Sequence, residues 1–336
     1  MKTQASAESV ASQILACERI ILTTHMTPDG DGLGSELALL RHLRRIGKNA
    51  IILNCSTVPE DLRFLVRSGE VVTFQRGKHE NLLEEADVIC AFDLGAAGRL
   101  GRMEGPVREA TCSKVLVDHH LFDNDLFDVL YVDTEASSSA ELTFGLLEAM
   151  GMEKLEVEVA EPLHVGLIQD TGSFNFNTTT PSALRLAAKF IEAGVKPYRI
   201  WRKLNCQKPL HRVRFMGNNI ARIELHENGK LSSALCDLEY MKKVKGEPRD
   251  AFEVVNHLLS IRGVEVGCFA VQIGSEKTKF SLRSSGRIDV CDLAKKFGGG
   301  GHRFAAGFTV DGMSAKKAFA EVLEECFELV SPGALR

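Results

Sequence analysis

No CxxC pair occurs among the nine cysteines, which stand at 17, 55, 90, 112, 206, 236, 268, 291 and 326, and their number is odd. That pattern argues against a disulfide framework and against a thiolate zinc site, and it suits reduced core thiols in a cytosolic protein. Met1 to Ala16 contains no continuous apolar block, so neither a signal peptide nor a membrane span is expected there and the chain is read as cytoplasmic. A basic surplus is missing as well: 41 Lys and Arg against 45 Asp and Glu leave a net charge of −4. This excludes a protein held to nucleic acid over its whole surface, so an anionic ligand must be gripped at one site. Proline is scarce, at nine residues, and there is neither an internal repeat nor a low-complexity tract beyond one glycine run. What remains is a globular composition, 44% hydrophobic and 26% charged. At 336 residues, two domains of ~100–200 residues each are expected.

From residue 18 to about 190, short apolar or β-branched runs alternate with helical patterns, the signature of βαβ units and a parallel sheet. Residues Arg19–Thr24, 50–54, 87–92 and 114–117 read as buried strands, each ended by polar or turn residues. Residues 32–46 read as a helix, with Leu33, Leu37, Leu40 and Leu43 sharing one face. A further helix runs from Pro181 to Ala193, where Gly194 and Pro197 supply stop signals. The expected organisation is an α/β domain over 1–194, a partly helical linker over 195–215, and a smaller α+β domain over 216–336. In the latter, 217–236 reads as a β-hairpin, 249–260 as a helix, 264–284 as two strands around Gly274, and 315–329 as a final helix.

Acids and histidines fall just past the ends of apolar segments, the edge where open α/β sheets bind ligands. The first cluster is His25-Met-Thr-Pro-Asp29-Gly-Asp31-Gly-Leu-Gly-Ser35. Its glycines allow a tight loop, and its imidazole and two carboxylates can converge on a cation, although either acid alone also suits a helix cap. The string lacks the lysine of a phosphate-binding P-loop and the spacing of the dinucleotide fingerprint. Asp93 ends a strand, where a lone Asp is ordinarily a turn residue. Asp118-His119-His120 follows another strand, and adjacent histidines point in different directions, so one can bind metal while the other faces substrate. Asp170 again follows an apolar stretch.

Four strand ends that each deliver an Asp or His to one sheet edge make a stronger case together than singly. Carboxylates and imidazoles without thiolates suit Mn²⁺, with Mg²⁺ or another first-row ion such as Co²⁺ as alternatives, and argue against structural zinc. Asp29, Asp31, Asp93, Asp118 and Asp170 exceed what one cation requires and would repel one another. Two divalent ions sharing a bridging carboxylate resolve this. Two metals about 3.5–4 Å apart can activate water and stabilise both oxygens of an in-line displacement at phosphorus.

The ordered set HxxxDxD, lone Asp, DHH and DTG resembles the DHH phosphoesterase superfamily, and the later FGGGGH resembles its DHHA1 C-terminal domain, so the likeness spans nearly the whole chain. Gly98-Arg99-Leu100-Gly101, the ASSSAEL of 136–142 and Thr179-Thr180-Pro181 reinforce it. One departure is Leu121-Phe122 after the DHH, where many relatives have proline; it moves no ligand. The resemblance implies that His25, Asp29 and Asp93 hold one ion and that Asp31, Asp93, His119 and Asp170 hold the other. It implies that Asp118 orients a histidine from behind and that His120 faces the substrate phosphate, either stabilising charge or donating a proton.

Between Lys277 and Arg303 seven basic residues stand against two acids, a local balance of +5. A solvated helix face accounts for Lys295 and Lys296. Arg283 and His302 border a strand and a four-glycine loop whose amides can cradle an anion, and an arginine can grip a terminal phosphate bidentately. The resemblance likewise places substrate phosphate at Gly299, Gly300, Gly301 and His302 and at an arginine of the preceding strand. Arg99 joins this expected substrate-binding set. His42, His79, His164, His211, His226 and His257 are assigned no role, and Trp201 and Phe215 are read as linker packing.

Within the superfamily, the chain lacks the extra length of RecJ-like exonucleases and the membrane and sensory segments of large cyclic-dinucleotide phosphodiesterases. A family II pyrophosphatase would carry a C-terminal domain without GGGH. The remaining likeness is to NrnA-like nano-RNases. It implies hydrolysis of short oligoribonucleotides, linear dinucleotides included, and dephosphorylation of 3′-phosphoadenosine 5′-phosphate. The alternatives are a cyclic-dinucleotide phosphodiesterase and a non-catalytic RNA-binding protein; intact ligand positions argue against the second. Expected partners are short RNA, dinucleotides and small nucleotides as substrates, without a membrane; homodimerisation is left open.

Overall fold

The computed structural model describes residues 3–121, 125–244 and 254–331. It divides into two compact units, Met1–Gln207 and Lys208–Arg336.

The first unit is built on seven parallel strands: β1 (Thr3–Gln4), β2 (Arg19–Thr24), β3 (Asn49–Asn54), β4 (Val71–Thr73), β5 (Val88–Phe92), β6 (Ser113–Asp118) and β7 (Val129–Val132), in the order β1-β7-β6-β5-β2-β3-β4. Both faces are covered, so the central strands read as continuous apolar runs. The alternation survives in where the side chains go. Ile20, Leu22, Val88, Cys90, Phe92, Val115 and Val117 pack on one face, and Ile21, Ile89, Ala91 and Leu116 on the other, as the two-residue repeat of a strand demands. Register fixes the edge that matters: Thr24 pairs with Phe92 and Phe92 with Val117. The C-terminal ends of β2, β5 and β6 therefore lie level.

The Gly30–Arg45 helix follows β2 and packs along the Val157–Asp170 helix. The two approach closely because small residues line the seam. A Cβ on Gly34 would lie 2.3 Å from the carbonyl oxygen of Pro162, and one on Gly166 would lie 2.7 Å from Asp31 Oδ1. Asp170 is thus the last residue of a helix, which corrects the expectation that a strand end delivers it.

The second unit holds a six-stranded sheet of β8 (Glu224–His226), β9 (Leu231–Cys236), β10 (Val266–Gly274), β11 (Lys277–Ser284), β12 (Gly300–His302) and β13 (Ala305–Asp311), ordered β12-β13-β11-β10-β9-β8. Among the described residues of this unit only β9 and β10 pair in parallel. The Ala315–Val330 helix buries Ala318, Val322, Cys326 and Val330 against one face. The expected hairpin over 217–236 is shorter, since 217–220 belong to the Leu210–Ile220 helix. Of the helix expected over 249–260, Val254–Leu259 is helical and 249–253 lie outside the described residues. Phe215 is buried in this unit's core, whereas Trp201 is exposed, which corrects its reading as a packing residue. Among the described residues no helix is long and apolar enough to cross a membrane.

Candidate metal centre

His25, Asp93 and His119 each follow the level ends of β2, β5 and β6, and Asp118 closes β6. Asp29 is the N-cap of the Gly30–Arg45 helix: its Oδ1 accepts hydrogen bonds from the amides of Asp31 (3.0 Å) and Gly32 (3.2 Å). Capping and ligation coexist here, because the other oxygen, Oδ2, lies 3.5 Å from His25 Nε2. Asp31 is fully buried. Its two oxygens accept hydrogen bonds from the amides of Ser139 (2.7 Å) and Ala140 (2.9 Å), at the start of the Ser139–Ala149 helix. That helix terminus favours negative charge, which explains why the ASSSAEL segment accompanies the acids.

Asp93 stands between the histidines. One oxygen lies 3.4 Å from His25 Nε2; the other lies 3.7 Å from His119 Nε2 and 3.3 Å from His120 Nδ1. Its backbone has φ of +49°, a conformation a side-chain-bearing residue rarely adopts and one that clusters at functional sites. His119 Nε2 also lies 2.9 Å from Asp170 Oδ2 and 4.0 Å from Asp31 Oδ2. Ligand atoms of His25, Asp29 and Asp93 converge within 4.8 Å of one another, as do those of Asp31, His119 and Asp170, and those of Asp93, His119 and His120.

Behind this array, Asp118 is fully buried and saturated. Its Oδ2 accepts from the amides of Leu94 (2.9 Å) and Gly95 (2.8 Å), and its Oδ1 accepts from the His120 amide (3.0 Å) and meets His120 Nδ1 at 2.8 Å. Arg99 donates from Nη1 to the Leu94 carbonyl (3.1 Å), and Gly95 lies between that guanidinium and the His120 ring.

The carboxylates and imidazoles of this cluster shift one another's ionisation. Burial, then the charges of Asp170 and Asp93, hold Asp31 well above the usual carboxylate range. Burial likewise leads in pushing Asp170 up to about 6. Burial opposes ionisation of Asp93, but His119, His120 and His25 hold its carboxyl well below the usual range. Burial depresses His25 and His119, and the surrounding carboxylates outweigh it, raising them to about 10 and about 11. His120 is raised to about 9 by Asp118 and Asp93 against the same burial. His25 Nε2, Asp93 Oδ1 and His119 Nε2 are buried without a hydrogen-bond partner, an arrangement costly for any group that has no ligand to meet. Orphaned nitrogen and oxygen atoms facing one another fit a divalent cation.

Residue reading missed the support under His25. Glu36, fully buried on the Gly30–Arg45 helix, accepts from Asn54 Nδ2 at 2.9 Å, and burial pushes its carboxyl up to about 8. Asn54 Oδ1 in turn accepts from the Thr24 amide (3.1 Å). An acid among the leucines of an otherwise buried helix was the available signal. Gln169, which accepts from the Gly30 amide at 2.8 Å, carried none.

In the second unit, Arg283 on β11 is partly buried, and that burial lowers its pKa; Nη1 donates to the Leu282 carbonyl (3.1 Å). The glycine run is not the expected loop. The amides of Gly298 and Gly299 donate to the carbonyls of Lys295 (3.0 Å) and Ala294 (2.9 Å), ending the Cys291–Lys296 helix, and Gly300–His302 form β12 at the sheet edge. The His302 side chain lies outside what the structure describes. The expected basic patch is largely neutralised: Lys277, Arg287, Lys295, Lys296 and Arg303 pair with Asp311, Glu265, Asp292, Glu325 and Asp289.

A doubly covered parallel sheet whose ligand edge gathers six carboxylate and imidazole side chains fits a metal-dependent phosphoesterase. The model of the DHH family, N-terminal domain, matches residues 19–167, and that of the DHHA1 domain matches residues 237–329. The chain is 30% identical over 305 residues to the bifunctional oligoribonuclease and PAP phosphatase NrnA of Thermus thermophilus, covering 91% of this chain and 88% of that protein. The protein of the same name from Bacillus subtilis is 29% identical, with 87% and 90% covered. The crystal structure of an exopolyphosphatase-related protein from Bacteroides fragilis superposes with a TM-score of 0.90 at 29% identity, over 97% of this chain and 98% of that one. The chain belongs to the DHH–DHHA1 phosphoesterase family.

Proposed function

We propose that this protein hydrolyses short oligoribonucleotides, linear dinucleotides included, to mononucleotides, and that it also dephosphorylates 3′-phosphoadenosine 5′-phosphate. The observation that carries this reading is the gathering of ligand atoms at one sheet edge, with His25, Asp29 and Asp93 in one set and Asp31, His119 and Asp170 in another, in a chain alignable over nearly its whole length with relatives whose names state both activities. His25, Asp29 and Asp93 would hold one ion; Asp31, Asp93, His119 and Asp170 would hold the other, with Mn²⁺ as the proposed metal. Such ions, when bound, polarise a phosphoryl oxygen and make water nucleophilic at neutral pH.

The protein's own residues do the rest. Asp118 fixes the His120 ring through Nδ1 and keeps it cationic, so His120 attracts the phosphate and holds a proton for the departing oxygen. Arg99, beside it, is placed to share a phosphate oxygen. In the second unit Arg283 would grip the terminal phosphate, since a partly buried guanidinium with no carboxylate partner among the described residues gains most from an anion. Activity in the cytoplasm belongs to the same proposal.

The test is incubation with Mn²⁺, Mg²⁺ or chelator, offering 5′-phosphorylated RNA dinucleotides, a 20-mer, a cyclic dinucleotide and 3′-phosphoadenosine 5′-phosphate. Metal-dependent conversion of the dinucleotides with little attack on the 20-mer is expected. Turnover of the cyclic substrate alone would refute the reading and keep only the metal centre.

A further inference from the structure

Between Glu192 and Glu224 the chain contains no acidic residue and eight Lys or Arg, in a protein whose acids outnumber its bases. The first part of this stretch forms the Pro197–Asn205 helix of the first unit. Ile200 is buried and Leu204 half-buried, and the helix packs on the Glu60–Leu65 turn. That turn follows β3, the neighbour of β2, the strand that ends just before His25.

At 100° per residue, Ile200 and Leu204 occupy one narrow strip of the helix. Tyr198, Arg199, Trp201, Arg202 and Lys203 spread over the remainder and are all exposed. Tyr198 is 69% and Trp201 49% accessible, and the Arg202 guanidinium sits 6.0 Å from the centre of the Tyr198 ring. Several other surface cations of this unit are paired, as in Arg45 with Glu156, Arg67 with Glu158 and Lys189 with Glu148. Among the described residues Arg199, Arg202 and Lys203 meet no carboxylate, and Glu60 and Asp61 of the turn beneath the helix make no ion pair with them. A helix face selected only for solubility would mix signs and avoid a large indole. An acidic peptide would satisfy the cations and leave the rings uncovered, and a duplex hides its bases. A single strand offers phosphates and free ring faces together, the combination that stacking platforms recognise.

We propose that the exposed face of the Pro197–Asn205 helix binds single-stranded RNA. Bases stack on Trp201 and Tyr198 while Arg199, Arg202 and Lys203 neutralise phosphates. The inference rests on the oligoribonucleotide reading and extends it: the nucleotides of a longer substrate that do not reach the metal centre are held on this helix, so it contributes to length preference.

Trp201 is the only tryptophan in the chain, so its emission reports this face alone. The full-length protein, kept in chelator so that hydrolysis is silent, is titrated with a five-nucleotide oligoadenylate, with AMP and with polyglutamate. The pentamer is expected to quench saturably and far more strongly than AMP, and polyglutamate to quench little. Three phosphate contacts predict a roughly 20-fold loss of affinity between 50 and 200 mM salt. The combined Arg199→Gln, Arg202→Gln, Lys203→Gln variant should lose the quenching and, once loaded with Mn²⁺, show a higher KM for the pentamer with dinucleotide turnover unchanged. If the pentamer leaves Trp201 unquenched while the Mn²⁺-loaded protein still cleaves dinucleotides, the RNA surface is refuted and the reading of the centre stands. Quenching without turnover of any oligonucleotide upholds RNA binding and removes the activity instead. Equal quenching by polyglutamate, or an emission shift that follows protein concentration without RNA, assigns the face to an acidic peptide or to a second copy and overturns the proposal.

Discussion

Replacing Asp118 by asparagine keeps size and shape and removes half of what the carboxylate does. Four donors converge on it, two on each oxygen. An amide accepts on one side only, so whichever way it turns, two donors meet an NH₂. At about 1.5–3 kcal/mol for each hydrogen bond to a charged group, roughly 3–6 kcal/mol is lost, a large part of a typical total of about 5–15 kcal/mol. Urea unfolding in chelator, followed by circular dichroism, reads this directly. With a slope of about 1–3 kcal/mol/M the midpoint should fall by at least about 1 M. Hydrogen exchange at the amides of Leu94 and Gly95 shows whether the loss is local to β5 and its turn. The His120 ring should also titrate below its native value of about 9, and kcat should drop at least about 100-fold. An unchanged midpoint together with an unchanged His120 titration would refute the role assigned to Asp118.

Three further outcomes are expected. Asp93→Ala should abolish hydrolysis of every substrate, whereas Arg283→Ala should cut kcat/KM for dinucleotides by about 10- to 100-fold and spare a small artificial phosphodiester; equal losses in parallel assays would remove Arg283 from substrate recognition. Metal binding should expel protons at pH 7, because the surrounding carboxylates raise His25 to about 10 and His119 to about 11; affinity should therefore rise between pH 6 and 9, measurable by calorimetry in buffers of different protonation enthalpy. Burial lowers His164 from 6.5 to about 4, so the native state keeps this ring neutral while the unfolded chain takes up a proton. Its contribution is complete above pH 6.5 and lost as pH falls toward 4, by roughly 3 kcal/mol, and His164→Leu should flatten that part of the Tm against pH curve.

The candidate metal side chains could be picked out because most of them stand just past the end of an apolar run, and a parallel sheet collects such ends at one edge. The strand Arg19–Thr24 is found with its predicted bounds. Asp170 was misplaced for a physical reason: the Val157–Asp170 helix buries Leu163 through Ile168 almost completely, so it shows no polar face and its apolar stretch imitates a buried strand. The two-residue β1 is too short to carry a pattern. The glycine run was read as an anion loop, but composition alone does not distinguish a helix stop and an edge strand from a cradle. Glu36 and Asn54 lay hidden because their partnership spans elements that only tertiary folding joins.

All six donors proposed to hold the ions, and Asp118 and His120 beside them, lie between residues 25 and 170, within the first unit. On that proposal the chemistry is modular. A fold that completes its reactive centre inside one unit leaves the other free to diverge under selection for what is bound, without disturbing how a phosphoester is cut. Inheritance of the first unit preserves a reaction; exchange of the second rewrites a diet.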